Sequence, residues 1–182
     1  MYRAMRTSQR PPPMARCPRR APLSRLKGTT LAKEFSRQMW LTRRMRSLVL
    51  DINREKWGEH AMILADDAEF ERIVWNSRNL FVVVDEASTV IAADKDKTPL
   101  FTRIRHQAHS LCVVGHHGSN LTPQMREQIF VLCLFRVGQK SAELWSEHFA
   151  QDALLAAPSL GQYEFLRYEL YGAPPQRMKL KL

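Results

Sequence analysis

Two adjacent carboxylates, Asp85 and Glu86, directly follow an apolar run at residues 80–84. The run is apolar at every position and mostly β-branched, which is typical of a strand buried on both faces of a parallel sheet. A strand that ends in this way brings both acids to the carboxyl edge of the sheet, where open α/β folds bind their ligands. There the first acid could bind Mg²⁺ and the second could orient a water molecule for nucleotide hydrolysis. An ordinary strand followed by an acidic turn is the alternative.

The elements that must position these acids alternate between helix and strand along the chain. We predict, in order, a helix from Thr29 to about residue 43, a strand at 47–51, a helix ending near 74, a strand at 80–85, a helix at 98–109, a strand at 110–115, a helical turn from 122, a strand at 130–137, a helix at 141–155 and a strand at 163–168. Such alternation indicates a parallel sheet between helical layers, and therefore a three-layer α/β fold.

Composition limits the class of protein. A length of 182 residues suits one domain, and 45% apolar with 25% charged residues is ordinary for a globular protein. No apolar run approaches the roughly 18 residues that a bilayer span needs, so we predict no integral membrane segment. The cysteines (Cys17, Cys112 and Cys133) form no metal-binding cluster, and a disulfide scaffold is not expected.

The basic charge is concentrated at the start of the chain. Of the formal net charge of +10, residues 1–30 carry +8, and residues 1–27 hold five of the ten prolines. This composition predicts a disordered basic Arg/Pro-rich arm at 1–27. The arm could be an organelle transit peptide, although its prolines oppose the amphipathic helix that such a peptide needs. It could instead bind the backbone of a nucleic acid, or be a non-native start to the chain.

The sequence resembles the P-loop ATPases of the FtsK–HerA superfamily. Three segments carry this resemblance: the Thr-Thr-Leu-Ala-Lys-Glu-Phe run from Thr29, the strand that ends in Asp85, and the arginine-bearing segment 101–115. The small viral and phage DNA-packaging and filamentous-phage assembly ATPases are the most similar members. The resemblance implies a P-loop NTPase (RecA-like) fold with a mainly parallel sheet, its first strand missing or degraded. It implies an ATPase-like domain at 28–172, followed by a C-terminal tail at 173–182.

The resemblance also implies roles for individual residues. Residues 27–30 would bind the phosphates of ATP, Glu86 would orient the attacking water, and Arg105, with Arg103 as the second choice, would be an arginine finger for a neighbouring subunit. The complete set comprises Lys27, Gly28, Thr29 and Thr30 for the nucleotide, Thr29 and Asp85 for Mg²⁺, and Glu86, Arg105, His117 and Asn120 for catalysis. A metal site at His116 and His117 with His106 and His109 is not favoured, because no cysteine or carboxylate stands at ligand spacing.

The phosphate-binding segment departs from the pattern of the family. A phosphate loop reads G-x-x-x-x-G-K-[ST], in which backbone N–H groups surround the phosphates and the lysine reaches them. With Thr29 at the Mg²⁺ position, Gly28 stands in place of the lysine and Lys27 in place of the second glycine. The first glycine and the preceding apolar strand are missing. Either the loop is degenerate, or the arm before Gly28 is not native and arose from a frameshift or wrong start.

Two functions therefore remain open from the sequence. The first is a Mg²⁺-dependent, ATP-hydrolysing motor domain that acts on double-stranded DNA as a homo-oligomeric ring, located in the host cytoplasm or associated with the virion. The second is a catalytically inactive P-loop fold that acts as a DNA-binding or assembly module. The acids Asp85 and Glu86 favour the first, and the altered loop at Lys27 and Gly28 favours the second.

Overall fold

The computed structural model describes residues 26–87 and 97–180. The helices are α1 (Leu26–Arg43), α2 (Asp67–Asn76), α3 (Thr98–Thr102), α4 (Pro123–Arg126) and α5 (Gln139–Phe149), with 3-10 turns at Ile104–Gln107, Gly118–Asn120 and Asp152–Ser159. The strands are β1 (Ser47–Leu50), β2 (Ala61–Leu64), β3 (Phe81–Val84), β4 (Ser110–Val113), β5 (Val131–Phe135), β6 (Glu164–Glu169) and β7 (Gln176–Lys179). The predicted arm lies outside the described residues, apart from residues 26 and 27.

Four strands form a parallel sheet in the order β2-β1-β3-β4. The first residues of the strands align, with Ser47 opposite both Ala61 and Phe81, and Phe81 opposite Ser110. Because the register is even, the loops that follow the strands share one edge and the loops that precede them share the other. This arrangement is the predicted α/β sheet, and β3 is the strand inferred from its apolar run.

The two faces of the parallel sheet are covered by different helices. Val49 and Val83 are fully buried in a cluster with Ala32 of α1. The alternate strand residues, such as Leu50 and Val82, face the other way and pack in a cluster with Phe70 of α2. Burying an aliphatic or aromatic side chain of this size stabilises the fold by about 1.5–3 kcal/mol, so the two layers fix α1 and α2 firmly against the sheet. The parallel sheet thus lies between two helical layers, as predicted.

The other three strands form an antiparallel sheet in the order β5-β6-β7. Trp145 of α5 and Leu154 of the following 3-10 turn are buried in its core with Leu166 of β6. The segment 173–182, expected as a tail, contributes β7, which pairs with β6 along its whole length. The segment expected as a tail thus contains a strand, and Pro174 and Pro175 lie in the connection between β6 and β7.

Two predicted helices are shorter in the structure. The helix expected at 98–109 divides into α3 and a 3-10 turn, which ends at Ala108 in the left-handed conformation (φ 58°). The turn directs His109 inward, where its Nδ1 accepts a hydrogen bond from the Leu80 N–H (2.9 Å) and its Nε2 donates to the Val74 carbonyl (3.0 Å). The helix expected at 141–155 ends at Phe149, because Ala150 is also left-handed. No helix among the residues described has both the length and the apolar character needed to cross a bilayer.

Candidate functional site

A threonine and an aspartate from different elements meet at the carboxyl edge of the parallel sheet. The Thr29 hydroxyl, in the first turn of α1, donates to Asp85, and its oxygen lies 3.1 Å from both carboxylate oxygens. Both side chains are almost completely buried, with exposed fractions of 6% and 3%. Asp85 directly follows β3, and its N–H donates a hydrogen bond to the Leu50 carbonyl (2.9 Å). The pairing of β3 with β1 therefore extends to Asp85 and fixes its position. A hydroxyl and a carboxylate so placed are the two protein ligand types that P-loop NTPases use for Mg²⁺.

Asp85 lies in a negative environment. Burial raises its pKa above the ordinary value for an aspartic acid, and the nearby Asp51 and Glu55 carboxylates raise it further. The hydrogen bonds from Thr29 and from the Glu86 N–H act in the opposite direction but do not cancel the effect. A buried carboxylate with two acidic neighbours is stabilised by a bound cation, which removes the repulsion.

Glu86 follows Asp85 in an unusual backbone conformation. Its φ of +53° is left-handed, a region that a residue with a Cβ adopts at a cost of about 1–2 kcal/mol. In this conformation its N–H donates to the Asp85 Oδ1 atom (3.0 Å), and the next N–H, that of Ala87, donates to the Val114 carbonyl (2.8 Å). The Glu86 side chain is half-buried at the same edge. The turn therefore holds two consecutive carboxyl groups in different surroundings.

The loop after β1 is organised by a third carboxylate. Asp51 is buried and accepts three hydrogen bonds, from the N–H groups of Asn53 and Glu55 (2.8 Å each) and from the Trp57 indole (3.1 Å). Trp57 is only 3% exposed, which leaves no face for stacking on a base. Asp51 is the last residue of the strand predicted at 47–51, so its loop was expected at the same edge of the sheet as Asp85. The sequence did not predict that Glu55 also lies near Asp85.

The residues expected to bind phosphate are helical. Lys27, Gly28, Thr29 and Thr30 all lie in the first turns of α1. A Cβ on Gly28 would come within 2.8 Å of a Val114 methyl group, so only glycine allows α1 to approach the end of β4 this closely. The Lys27 ammonium lies 5.7 Å from the centre of the Tyr163 ring, beside the antiparallel sheet.

The candidates after β4 occupy the same edge as Asp85. His116 and His117 are exposed, whereas Asn120 is half-buried in the 3-10 turn that follows. His106 and His109 precede β4, so the four-residue strand, about 13 Å long, separates them from the other histidines. This separation is the physical reason why the four histidines do not form one metal site.

Arg105 lies at the opposite edge. It belongs to the 3-10 turn before β4 and is exposed, as is Arg103. Neither side chain reaches Asp85 of its own chain, since β4 lies between them. The expected role as a finger for a neighbouring subunit stays a prediction.

The thiols of Cys112 and Cys133 are not reactive groups of this site. Burial raises the pKa of Cys112 to about 12 and that of Cys133 to about 11. Both thiols are therefore protonated at neutral pH and act as small apolar side chains.

The residues at this edge suit Mg²⁺ better than a metal ion whose ligands all come from the protein. The described ranges contain no group of three or more His, Cys, Asp and Glu side chains arranged to hold a metal ion. Mg²⁺ keeps several waters and usually takes one or two protein ligands together with substrate phosphates. One hydroxyl and one carboxylate, in a field made negative by two further acids, meet that requirement.

Comparison with known proteins relates this architecture to solved structures. No family model matches the sequence, and a search of curated proteins finds no match. The structure resembles B204, the DNA-packaging ATPase from Sulfolobus Turreted Icosahedral Virus, at 15% identity with a TM-score of 0.69, covering 86% of this chain and 93% of that one. It also resembles the genome packaging NTPase B204 from Sulfolobus turreted icosahedral virus 2 in complex with AMPPCP (17% identity, TM-score 0.69) and with ATP-gammaS (16%, 0.69). These cover 85% of this chain, and 93% and 92% of their own chains.

Proposed function

On the premise that this chain has the α/β fold of the B204 packaging NTPases, we propose that it is an ATP-binding and ATP-hydrolysing motor domain similar to those of viral DNA packaging. One observation carries the proposal: the buried Thr29–Asp85 pair at the carboxyl edge of the sheet. The double-stranded DNA, the homo-oligomeric ring and a location in the host cytoplasm or virion belong to the same proposal.

Thr29 and Asp85 would hold Mg²⁺, which would neutralise charge on the phosphates of ATP. The raised pKa of Asp85 supports this role, since its carboxylate is poorly stabilised by the protein alone. Glu86 would accept a hydrogen bond from the attacking water and orient it. The phosphates would contact the first turn of α1, where Thr30 is half-buried and the helix N-terminus favours anions.

Other roles concern the periphery of the site. His117 and Asn120, after β4, would sense the terminal phosphate, and Arg105 would contact the ATP of a neighbouring subunit. Lys27 would have to leave the Tyr163 ring to reach a phosphate, and its flexible side chain has the freedom to do so.

The alternative is a catalytically inactive P-loop fold that serves as a DNA-binding or assembly module. Two contacts favour it: Gly28 of α1 packs against Val114, and the Lys27 ammonium lies over the Tyr163 ring. In this arrangement the segment at 27–28 is helical and does not form a loop around phosphates.

The deciding experiment measures Mg²⁺-ATP binding by calorimetry and steady-state hydrolysis with and without duplex DNA. We expect Asp85→Ala to abolish binding, and Glu86→Gln to retain binding while lowering turnover by about 100-fold or more. Asp66→Asn, which alters a carboxylate at the same edge after β2, is the matched control and should change neither. Absence of ATP binding by the unmodified chain would refute the motor and leave the inactive module.

A further inference from the structure

The parallel sheet carries opposite charges at its two edges. An aspartate follows each of the first three parallel strands within two residues: Asp51 after β1, Asp66 after β2 and Asp85 after β3. The loops that precede the strands carry arginines. They are Arg43, Arg44 and Arg46 before β1, Arg78 before β3, and Arg103 and Arg105 before β4. We call this set of six the arginine edge.

The arginine edge is continuous across three adjacent strands of the sheet, β1, β3 and β4. Backbone hydrogen bonds join its loops: Ser47 N–H donates to the His60 carbonyl (3.0 Å), Phe81 N–H to the Arg46 carbonyl (2.9 Å) and Asn79 N–H to the Gln107 carbonyl (3.1 Å). At about 4.8 Å per strand, the three adjacent strands β1, β3 and β4 give an arginine-bearing edge roughly 10 Å wide. The charges are thus presented by one rigid surface.

Among the described residues, no acidic partner neutralises the positive charge of this edge. All six arginines are exposed, and none forms an ion pair with any residue of the described ranges. Glu59, before β2, is the one acid in the loops 43–46, 58–60, 77–80 and 103–109. The Arg44 guanidinium lies over the Trp40 ring at 5.7 Å, which holds it at the surface. Clustered guanidinium groups without a carboxylate partner attract polyanions, and each can donate two parallel hydrogen bonds to the oxygens of a phosphate.

We propose that the arginine edge, apart from Arg105, which is assigned to the ATP of a neighbouring subunit, binds the phosphate backbone of double-stranded DNA. This names the DNA-contacting surface of the proposed motor and rests on that function for the identity of the partner. A row of charges about 10 Å wide spans roughly three base-pair steps of one strand, which suits a regular polyanion. The edge lies across the sheet from Asp85, so DNA and nucleotide can be bound at the same time.

The test uses the full chain and a fluorescent duplex of about 30 base pairs, with anisotropy measured over a series of salt concentrations. The variant is Arg43→Gln with Arg46→Gln and Arg78→Gln, which leaves the proposed finger Arg105 unchanged. The matched control removes three exposed positive charges elsewhere, by Arg136→Gln, Lys140→Gln and Lys179→Gln. Thermal denaturation checks that both variants are folded.

If each of the three arginines contacts a phosphate, the slope of log affinity against log salt falls by about 2.7, and affinity near 0.1 M salt falls by about 500-fold. A decrease in slope of at least about 1, absent from the control, would support the proposal. Equal effects of the two triple variants would overturn it. An edge variant that keeps full DNA affinity but loses self-association would also overturn it and assign the edge to a second copy of the chain.

The DNA measurement contains no ATP, so its result is independent of the calorimetry. A chain that fails to bind Mg²⁺-ATP but shows the edge-specific loss of DNA affinity refutes the motor and retains the arginine edge. The reverse pattern retains the motor and refutes the edge.

Discussion

Replacement of Thr29 by valine is expected to lower the free energy of unfolding by about 1.5–3 kcal/mol near neutral pH. Valine keeps the shape of the side chain but removes the hydroxyl that donates to both oxygens of Asp85 at 3.1 Å. A hydrogen bond to a charged group contributes this much, and Asp85 is only 3% exposed, so water cannot replace it without rearrangement. In a domain of this size the loss corresponds to a decrease of about 3–12 °C in Tm.

The ionisation of Asp85 determines how the loss of stability in Thr29→Val varies with pH. The folded-state pKa of Asp85 is raised by burial, so protonation of Asp85 stabilises the fold as pH falls through that pKa. The bond from Thr29 lowers the pKa, so the Thr29→Val variant must have a still higher value. The difference in stability between the two proteins is therefore largest where Asp85 is ionised in both. This difference in stability becomes smaller as pH falls through the pKa of Asp85, which lies above the ordinary value of an aspartic acid.

The assay is urea denaturation at a series of pH values from about 3.5 to 8, a range that begins near the ordinary pKa of an aspartic acid, with Thr29→Ser as the matched control because serine retains the hydroxyl. The serine variant should remain closer to the original stability at every pH. A valine variant as stable as the original protein near pH 8, or a stability loss that does not vary with pH, would refute the coupling between the hydroxyl and the carboxylate.

Three further changes test other contacts of the same edge. Gly28→Ala should lower the free energy of unfolding by about 1–3 kcal/mol, because the added Cβ would lie 2.8 Å from a Val114 methyl group. Adding Val114→Ala should restore at least part of that loss. Strictly additive effects of the two substitutions in denaturation would contradict this contact. Asp66→Ala should lower stability by about 1 kcal/mol through loss of the α2 N-cap, whereas Asp66→Asn should be nearly neutral, and equal losses would argue against capping. Asp51→Asn replaces one of the two carboxylate oxygens that accept hydrogen bonds from three N–H groups. It should therefore lower the free energy of unfolding by about 1–3 kcal/mol and shift the fluorescence emission of Trp57. Unchanged emission would show that the conformation of the loop does not depend on that carboxylate.

The parallel sheet could be predicted because its central strands have a strong signal. Residues 80–84 are apolar without interruption, and the strand they form is buried at all four of its positions. β2 was missed although its residues are apolar throughout, because the run is short and has one β-branched residue, Ile63, so periodicity does not distinguish it from a helical segment. β7 was missed because its four residues are all exposed and two prolines precede it.

Helix ends were less predictable, because tertiary contacts decide them. The left-handed Ala108 has no sequence signal, and its conformation is needed to place His109 between Leu80 and Val74. In the candidate site, the pattern of the family implied that Thr29 and Asp85 share a ligand, and the fold does bring them together. The closeness of Asp51 and Glu55 to Asp85 depends on the register of β1 against β3, which periodicity alone does not give.

The left-handed backbone of Glu86 lowers the stability of the turn that carries the two acids. At φ +53° a glycine would be more stable than glutamate by about 1–2 kcal/mol. Glu86→Gly should therefore raise the free energy of unfolding while it removes the carboxylate proposed to orient the attacking water. The turn after β3 is thus a place where greater stability and the proposed chemistry require different residues.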